Sequence, residues 1–235
     1  VKSRKEEGKR SCLVIALMIS TLCRRARVSF PRPRYFVRLG IPPVRQISSK
    51  SYETPLTETV RTFLDPEEYY KLLEARGINF YCGVPDSLLR DFCSYVTDHA
   101  SPHNHIMTAN EGAAIGVASG YHLATGKFPV VYLQNSGLGN IINPILSLAD
   151  PKVYSIPMVL MIGWRGEPGK RDEPQHMVQG KIMPNLLTDL HIPFEILPDY
   201  IGGAEEALQS CLHHLENRGG PYAFLVKRQT FSEYK

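Results

Sequence analysis

Six short apolar runs, each followed by a stretch of helical periodicity or a turn, constrain this chain more than any other feature. The runs fall at 78–82, 105–109, 130–134, 158–162, 194–197 and 223–226. They are continuous rather than alternating, as strands buried on both faces are. Strands that alternate with helices pair in parallel. Helical patterns fall at 65–75, 88–97, 111–125, 140–148, 177–187 and 203–215. The first carries Asp65 as cap, Pro66 at its first position, Glu67 and Glu68 in its first turn, and Gly77 just past its end. The expected fold is α/β, a doubly wound, mostly parallel six-stranded sheet with helices on both faces. No internal repeat or low-complexity tract breaks the alternation.

Sheets of this kind place ligands outside the carboxyl ends of their strands. Four loops reach that edge, at 83–87, 110–111, 135–139 and 163–176. The second opens the segment HIMTANEGAAIGVASGYHLATGK, residues 105–127. Asn110 offers an N-cap and Glu111 begins a helix built from Gly112, Ala113, Ala114, Gly116, Ala118, Ser119 and Gly120. Each glycine costs about 1 kcal/mol of helix propensity relative to alanine, so a helix that keeps them packs closely against something. Glu111 reads either as a favourable charge at the positive end of the helix dipole or as a functional acid. Asp86 reads as an N-cap for a helix starting at Ser87 or as a second acid at the same edge. His176 is a loop histidine, suited to proton shuttling near neutral pH or to a place at the surface. Arg165, Lys170 and Arg171 share its loop with Glu167, Asp172 and Glu173, as a solvated ion-pair set or as cations for an acidic ligand. Residues 136–140, SGLGN, are a weak match to a dinucleotide loop because Ile142 stands where a third glycine belongs. His213, His214, His103 and His105 lack further ligands at metal spacing and read as surface or structural, so no metal site is expected in this chain.

The net charge of +4 hides an asymmetry. Residues 1–52 hold 13 Lys/Arg against 2 Asp/Glu, while the remainder holds 14 against 21. The acidic body argues against a nucleic-acid partner, which needs clustered cations. Residues 9–52 contain no acid and spread arginines among Ser, Pro, Phe and Val, the composition of a mitochondrial transit peptide, with a cytoplasmic location as the alternative. Initiation at Met18 would give a leader closer to an organelle-targeting segment than the sequence from Val1. The apolar run 13–22 is short of the roughly 20 residues a membrane span needs. The five cysteines are scattered without a CxxC, which favours reduced thiols over a disulfide framework.

Four segments together carry a resemblance. GVPDSLL (83–89), TANEGAAIGVASGYHLATGK (108–127), QNSGLGN (134–140) and GWRGEPGKRDEPQH (163–176) resemble, in this order, the pyrimidine-binding domain of thiamine diphosphate enzymes. The likeness is greatest to the phosphonopyruvate decarboxylase and sulfopyruvate decarboxylase group. It implies a thiamine diphosphate-binding fold over 65–230, preceded by a linker at 53–64 and the leader at 1–52. It implies that Glu111 meets the N1′ nitrogen of the cofactor's aminopyrimidine. Asn135, Ser136 and Gly137 would line the cofactor, Asp86 and His176 would move protons near the substrate, and Arg165 with Ser87 would meet its acidic end. The implied reaction removes carbon dioxide from a small acidic 2-oxo acid. For phosphonopyruvate the product is phosphonoacetaldehyde, and sulfopyruvate is the alternative substrate. Members of the family hold the diphosphate and Mg2+ in a second domain through a GDG motif, which this sequence does not contain. The chain is therefore expected to share the cofactor in a homo- or hetero-oligomer, with a chain bearing the second domain or with a full-length enzyme. A fragment or splice form of a two-domain decarboxylase, and a catalytically silent form that joins a full-length enzyme, are the alternatives.

Overall fold

The computed structural model describes residues 63–235. The leader and all but the last two residues of the linker lie outside the described residues. Six strands, β1 (Tyr81–Gly83), β2 (His105–Met107), β3 (Val130–Gln134), β4 (Met158–Gly163), β5 (Phe194–Ile196) and β6 (Pro221–Val226), form one sheet in the order β2-β1-β3-β4-β6-β5. Every pairing is parallel, so the sheet is wholly rather than mostly parallel. The helices are α1 (Pro66–Ala75), α2 (Arg90–His99), α3 (Glu111–Thr125), α4 (Leu138–Pro144), α5 (Pro174–Asp189) and α6 (Ile201–Asn217).

Alternation along each strand divides the core in two. Tyr81, Val130, Tyr132, Val159, Met161 and Phe224 face α1, α2 and α6. Their neighbours Cys82, Val131, Leu133, Leu160, Ile162 and Leu225 face α3, α4 and α5. Both sets are apolar, which is why the central strands read as unbroken runs. Full burial of each such side chain is worth about 1.5–3 kcal/mol. The edge strands β2 and β5 are only partly buried. Connections that step toward β5 carry α3, α4 and α5 on one face, and those that step toward β2 carry α2 and α6 on the other. One crossover hand produces that division. The connection after β1 leaves for one face and that after β3 for the other, so a crevice opens between their carboxyl ends.

Two helices differ from expectation in more than where their ends fall, while the helix expected at 177–187 begins at Pro174 and so takes in His176. The pattern at 140–148 becomes a 3₁₀ turn at Asn135–Gly137, then α4, then a π turn at Ile145–Ala149. Pro144 has no N–H to donate, and the helix moves to i→i−5 bonding, as in Asp150 N–H to the Ile145 carbonyl at 2.8 Å. α2 begins at Arg90 with Leu89 at the cap position, so Asp86 is not its N-cap. The packed body also starts earlier and ends later than the expected 65–230. Leu64 bridges to Phe231, and both are buried.

Candidate active site

Glu111 is the first residue of α3, capped by Asn110, whose side chain accepts from the Ala113 N–H. Its carboxylate is half-buried at the carboxyl edge and not turned into the apolar interior. Oε2 accepts from Asn140 Nδ2 at 2.7 Å, and Oε1 has no hydrogen-bond partner among the described residues. Gly137 forms the opposite wall. A Cβ there would stand 2.3 Å from Oε1 and 2.5 Å from Cγ of Glu111. Gly112 gives the same intimacy between α3 and α4, since a Cβ at that position would be 2.7 Å from the Asn140 carbonyl. The small residues of α3 thus serve, at this end, to bring the 135–140 segment onto Glu111.

Asp86 is 5% exposed, unusual for a carboxylate. Oδ2 accepts from the Leu88 N–H at 2.9 Å, and Oδ1 accepts from Gln134 Nε2 at 2.5 Å. Ser136 Oγ donates to Oε1 of that same Gln134 at 2.7 Å. A Cβ on Gly163 would strike Asp86 Oδ2 at 2.0 Å, so β4 must end in glycine to leave room for the carboxylate. The ends of β1, β3 and β4 are thereby joined through one buried acid.

Arg165 is fixed from three sides. Nε and Nη2 donate to Asp172 at 2.9 and 2.6 Å, and Nη1 donates to Ser87 Oγ at 3.0 Å. Its backbone is clamped by Asn135, whose Nδ2 donates to the Arg165 carbonyl and whose Oδ1 accepts the Arg165 N–H. Both polar ends of the Asn135 side chain are occupied in this way and the residue is 3% exposed. Its side chain therefore positions the loop instead of facing the crevice. Asp172 also accepts from the Gly166 and Glu173 N–H groups and lies 3.1 Å from His176 Nδ1. The Arg165 guanidinium, aided by His176 and those two N–H groups, holds the Asp172 carboxyl far below the usual carboxylate range, and Asp172 in turn raises Arg165. His176, on the first turn of α5, reaches this cluster through Asp172.

Five partners were not legible as site residues: Gln134, Asn140, Asp172, His105 and Tyr132. His105 Nε2 lies 2.8 Å from the Tyr132 hydroxyl, and both line a cavity of roughly 520 Å³ that Asp86, Ser87 and Arg90 share. Burial lowers the His105 pKa and raises that of Tyr132. Among the described residues no group of three or more His, Cys, Asp or Glu side chains could hold a metal ion, and no helix is long and apolar enough to cross a membrane.

The profile of the family described as thiamine pyrophosphate enzyme, N-terminal TPP binding domain, matches residues 67–187. The chain is 36% identical over 154 residues to phosphonopyruvate decarboxylase of Streptomyces viridochromogenes, a match covering 66% of this chain and 38% of that protein. It is 35% identical over 128 residues to sulfopyruvate decarboxylase subunit alpha of Methanococcus maripaludis, covering 54% of this chain and 74% of that one. It thus spans about two fifths of the phosphonopyruvate enzyme and three quarters of the subunit. Among solved structures, the thiamine diphosphate-dependent 4-hydroxybenzoylformate decarboxylase of Rhodococcus jostii RHA1 shares the fold, with a TM-score of 0.53 at 22% identity over 72% of this chain and 31% of that one. An all-parallel sheet with an acid at the head of α3, and a match over half the chain, place this protein in the family of thiamine pyrophosphate enzymes, as their N-terminal TPP-binding domain.

Proposed function

We propose that the chain supplies the pyrimidine-binding half of a thiamine diphosphate-dependent decarboxylase acting on phosphonopyruvate, with sulfopyruvate as the alternative substrate. The observation that carries the reading is the Glu111 carboxylate. One oxygen is oriented by Asn140, the other is unpartnered, and Gly137 removes any side chain from the space beside it. A carboxyl group so placed can hold a proton at a ring nitrogen of a flat heterocycle laid beside Ser136, the exposed residue of the 135–137 turn. When bound, thiamine diphosphate supplies the electron sink that a departing carboxylate requires. The residues of this chain orient, bind and move protons. Glu111 meets the aminopyrimidine, and Asp86 presents a fixed carboxylate at the junction of three strands. Arg165, with Ser87, offers donors to an acidic substrate. Asp172 keeps both Arg165 and His176 in place.

The diphosphate and its Mg2+ belong in this reading to a second domain, on a partner chain or a full-length enzyme. That the subunit named alpha is spanned over 74% of its length supports a shared site. The test is turnover of phosphonopyruvate and sulfopyruvate by this chain mixed with a chain bearing the GDG motif. Activity is expected only in the mixture with thiamine diphosphate, and Glu111→Gln should lower it by about 10²–10⁴, the range of a general acid–base contribution. A loss below tenfold removes Glu111 from the mechanism. Absence of thiamine diphosphate binding by the mixture favours the catalytically silent form.

A further inference from the structure

A cavity of roughly 220 Å³ lies between the loop after β4 and the turn after β6, lined among others by Trp164, Arg165, Lys170, Arg171, Asp172 and Arg228. Its charges are unevenly matched. Arg165 is neutralised by Asp172, and Glu167, the other acid of the wall, pairs with Lys227 at 2.9 Å. Lys170, Arg171 and Arg228 make no ion pair among the described residues. Three unpaired cations gathered about one small concavity repel one another, and an anion that enters relieves that repulsion.

The backbones that carry Arg165 and Arg228 are tied down by packing and hydrogen bonds, while Lys170 and Arg171 are exposed on the loop beside them. The 164–166 segment is clamped by Asn135 and packs on α5 with almost no space. A Cβ on Gly180 would stand 2.0 Å from the Gly166 carbonyl, and the Trp164 indole donates to the Gly180 carbonyl at 2.9 Å. The facing turn, 227–230, is closed by Lys227 N–H to Thr230 Oγ1 at 3.1 Å and by Thr230 N–H to the Lys227 carbonyl at 3.3 Å. Gln229 adopts a positive φ of 62° there, and buried Thr230 is tied to Leu64. Arg228 projects from this turn at the end of β6, next to β4 in the sheet. Arg165 bridges to the catalytic edge. Three of its five N–H groups are engaged, which leaves two for a ligand.

We propose that this cavity receives the tetrahedral oxyanion end of the 2-oxo acid, a phosphonate or sulfonate, and that Arg228 is the specificity-determining cation that fixes it. The assignment rests on the decarboxylase reading above for the identity of the substrate, but not for the presence of an anion site. Arg165 is compensated and cannot by itself hold a dianion. Arg228 brings an uncompensated charge with a fork that matches two oxygens of a tetrahedral centre.

The chain has one tryptophan, Trp164, and it lines the cavity, so its fluorescence reports occupancy directly. The full chain is titrated with methylphosphonate, and with acetate at matched ionic strength. Saturable change with methylphosphonate but not acetate is expected. Arg228→Gln should weaken methylphosphonate at least tenfold and Arg228→Lys less. Arg218→Gln, which removes the same charge at the end of α6, should stay within twofold of the parent. Failure of methylphosphonate to saturate the signal, or equal affinity in Arg228→Gln, overturns the site. In the mixed enzyme, Arg228→Gln should lower the preference for phosphonopyruvate over pyruvate at least tenfold. An unchanged preference overturns the role in specificity even if turnover is present. Arg228-dependent methylphosphonate binding in a mixture that decarboxylates no 2-oxo acid keeps the anion site and rejects the decarboxylase reading instead.

Discussion

Gly137→Ala tests the placement of Glu111 without straining the main chain. Gly137 has φ −78° and ψ −6°, a backbone that alanine adopts freely, so no strain arises from the main chain. The obstacle is Glu111. The new methyl would lie 2.3 to 2.5 Å from Oε1, Cδ and Cγ, where ordinary contact begins at 3.4 Å. Because Cγ is included, a terminal rotation cannot relieve the clash and the whole side chain must swing out. That breaks the 2.7 Å bond to Asn140 and displaces the carboxylate by roughly 1 Å or more, a misplacement that costs on the order of 10²-fold in rate. Stability should change little, because the half-buried carboxylate can move toward solvent and the Gly137 backbone already has dihedrals that alanine adopts. The assays are thermal unfolding of the chain alone and turnover in the mixed enzyme. The expected result is a Tm within about 4 °C of the parent, corresponding to about 1 kcal/mol in a body of this size, with turnover down about 10²-fold. Gly83→Ala is the contrasting control. Its φ is +156° and its Cβ would stand 2.0 Å from the Tyr132 carbonyl, so it should fail to fold. Turnover within threefold of the parent for Gly137→Ala would falsify the placement of Glu111, and a collapse as complete as that of Gly83→Ala would make the contact purely structural.

Two further outcomes follow from buried groups. Tyr69 is fully buried with its hydroxyl unpartnered among the described residues, so Tyr69→Phe should be neutral or stabilise by about 1 kcal/mol in a denaturant melt. Asp172 is held below its ordinary value of 3.8, so the folded state binds fewer protons there than the unfolded chain. Its contribution is complete above about pH 4 and drains as pH falls toward the folded value. Asp172→Asn should therefore lower stability near neutral pH, where Arg165 loses its partner, and flatten the acid limb of the stability profile. An unchanged slope below about pH 4 in the melts would remove Asp172 from that limb.

The fold was legible because its signals are local. The runs at 130–134 and 158–162 reappear almost residue for residue as β3 and β4, and the expected helix at 111–125 is α3 as it stands. Strand order was not legible, since nothing within β5 or β6 says that β6 inserts between β4 and β5. Asp86 shows how a local rule misleads. A carboxylate before Ser87 fits an N-cap, yet it is drawn into a bond with Gln134, 48 residues away. Glu111 stands out by its motif, whereas the residues that surround it, Asn140 and Gly137, come from the segment after another strand. Asp172 looked like an ordinary loop acid until the fold delivered five donors to it. His105 reads as one of several scattered histidines, and only the pairing of β1 with β2 and β3 sets it against Tyr132.

The placement of β6 has a consequence for biosynthesis. β5 has no neighbour except β6, and the outer flank of β4 has none either. While the chain is being made, two rows of backbone donors and acceptors are left to water until residues 221–226 arrive between them. Arg228 stands two residues beyond the end of β6, so the wall it gives to the cavity cannot form before the sheet has its last strand.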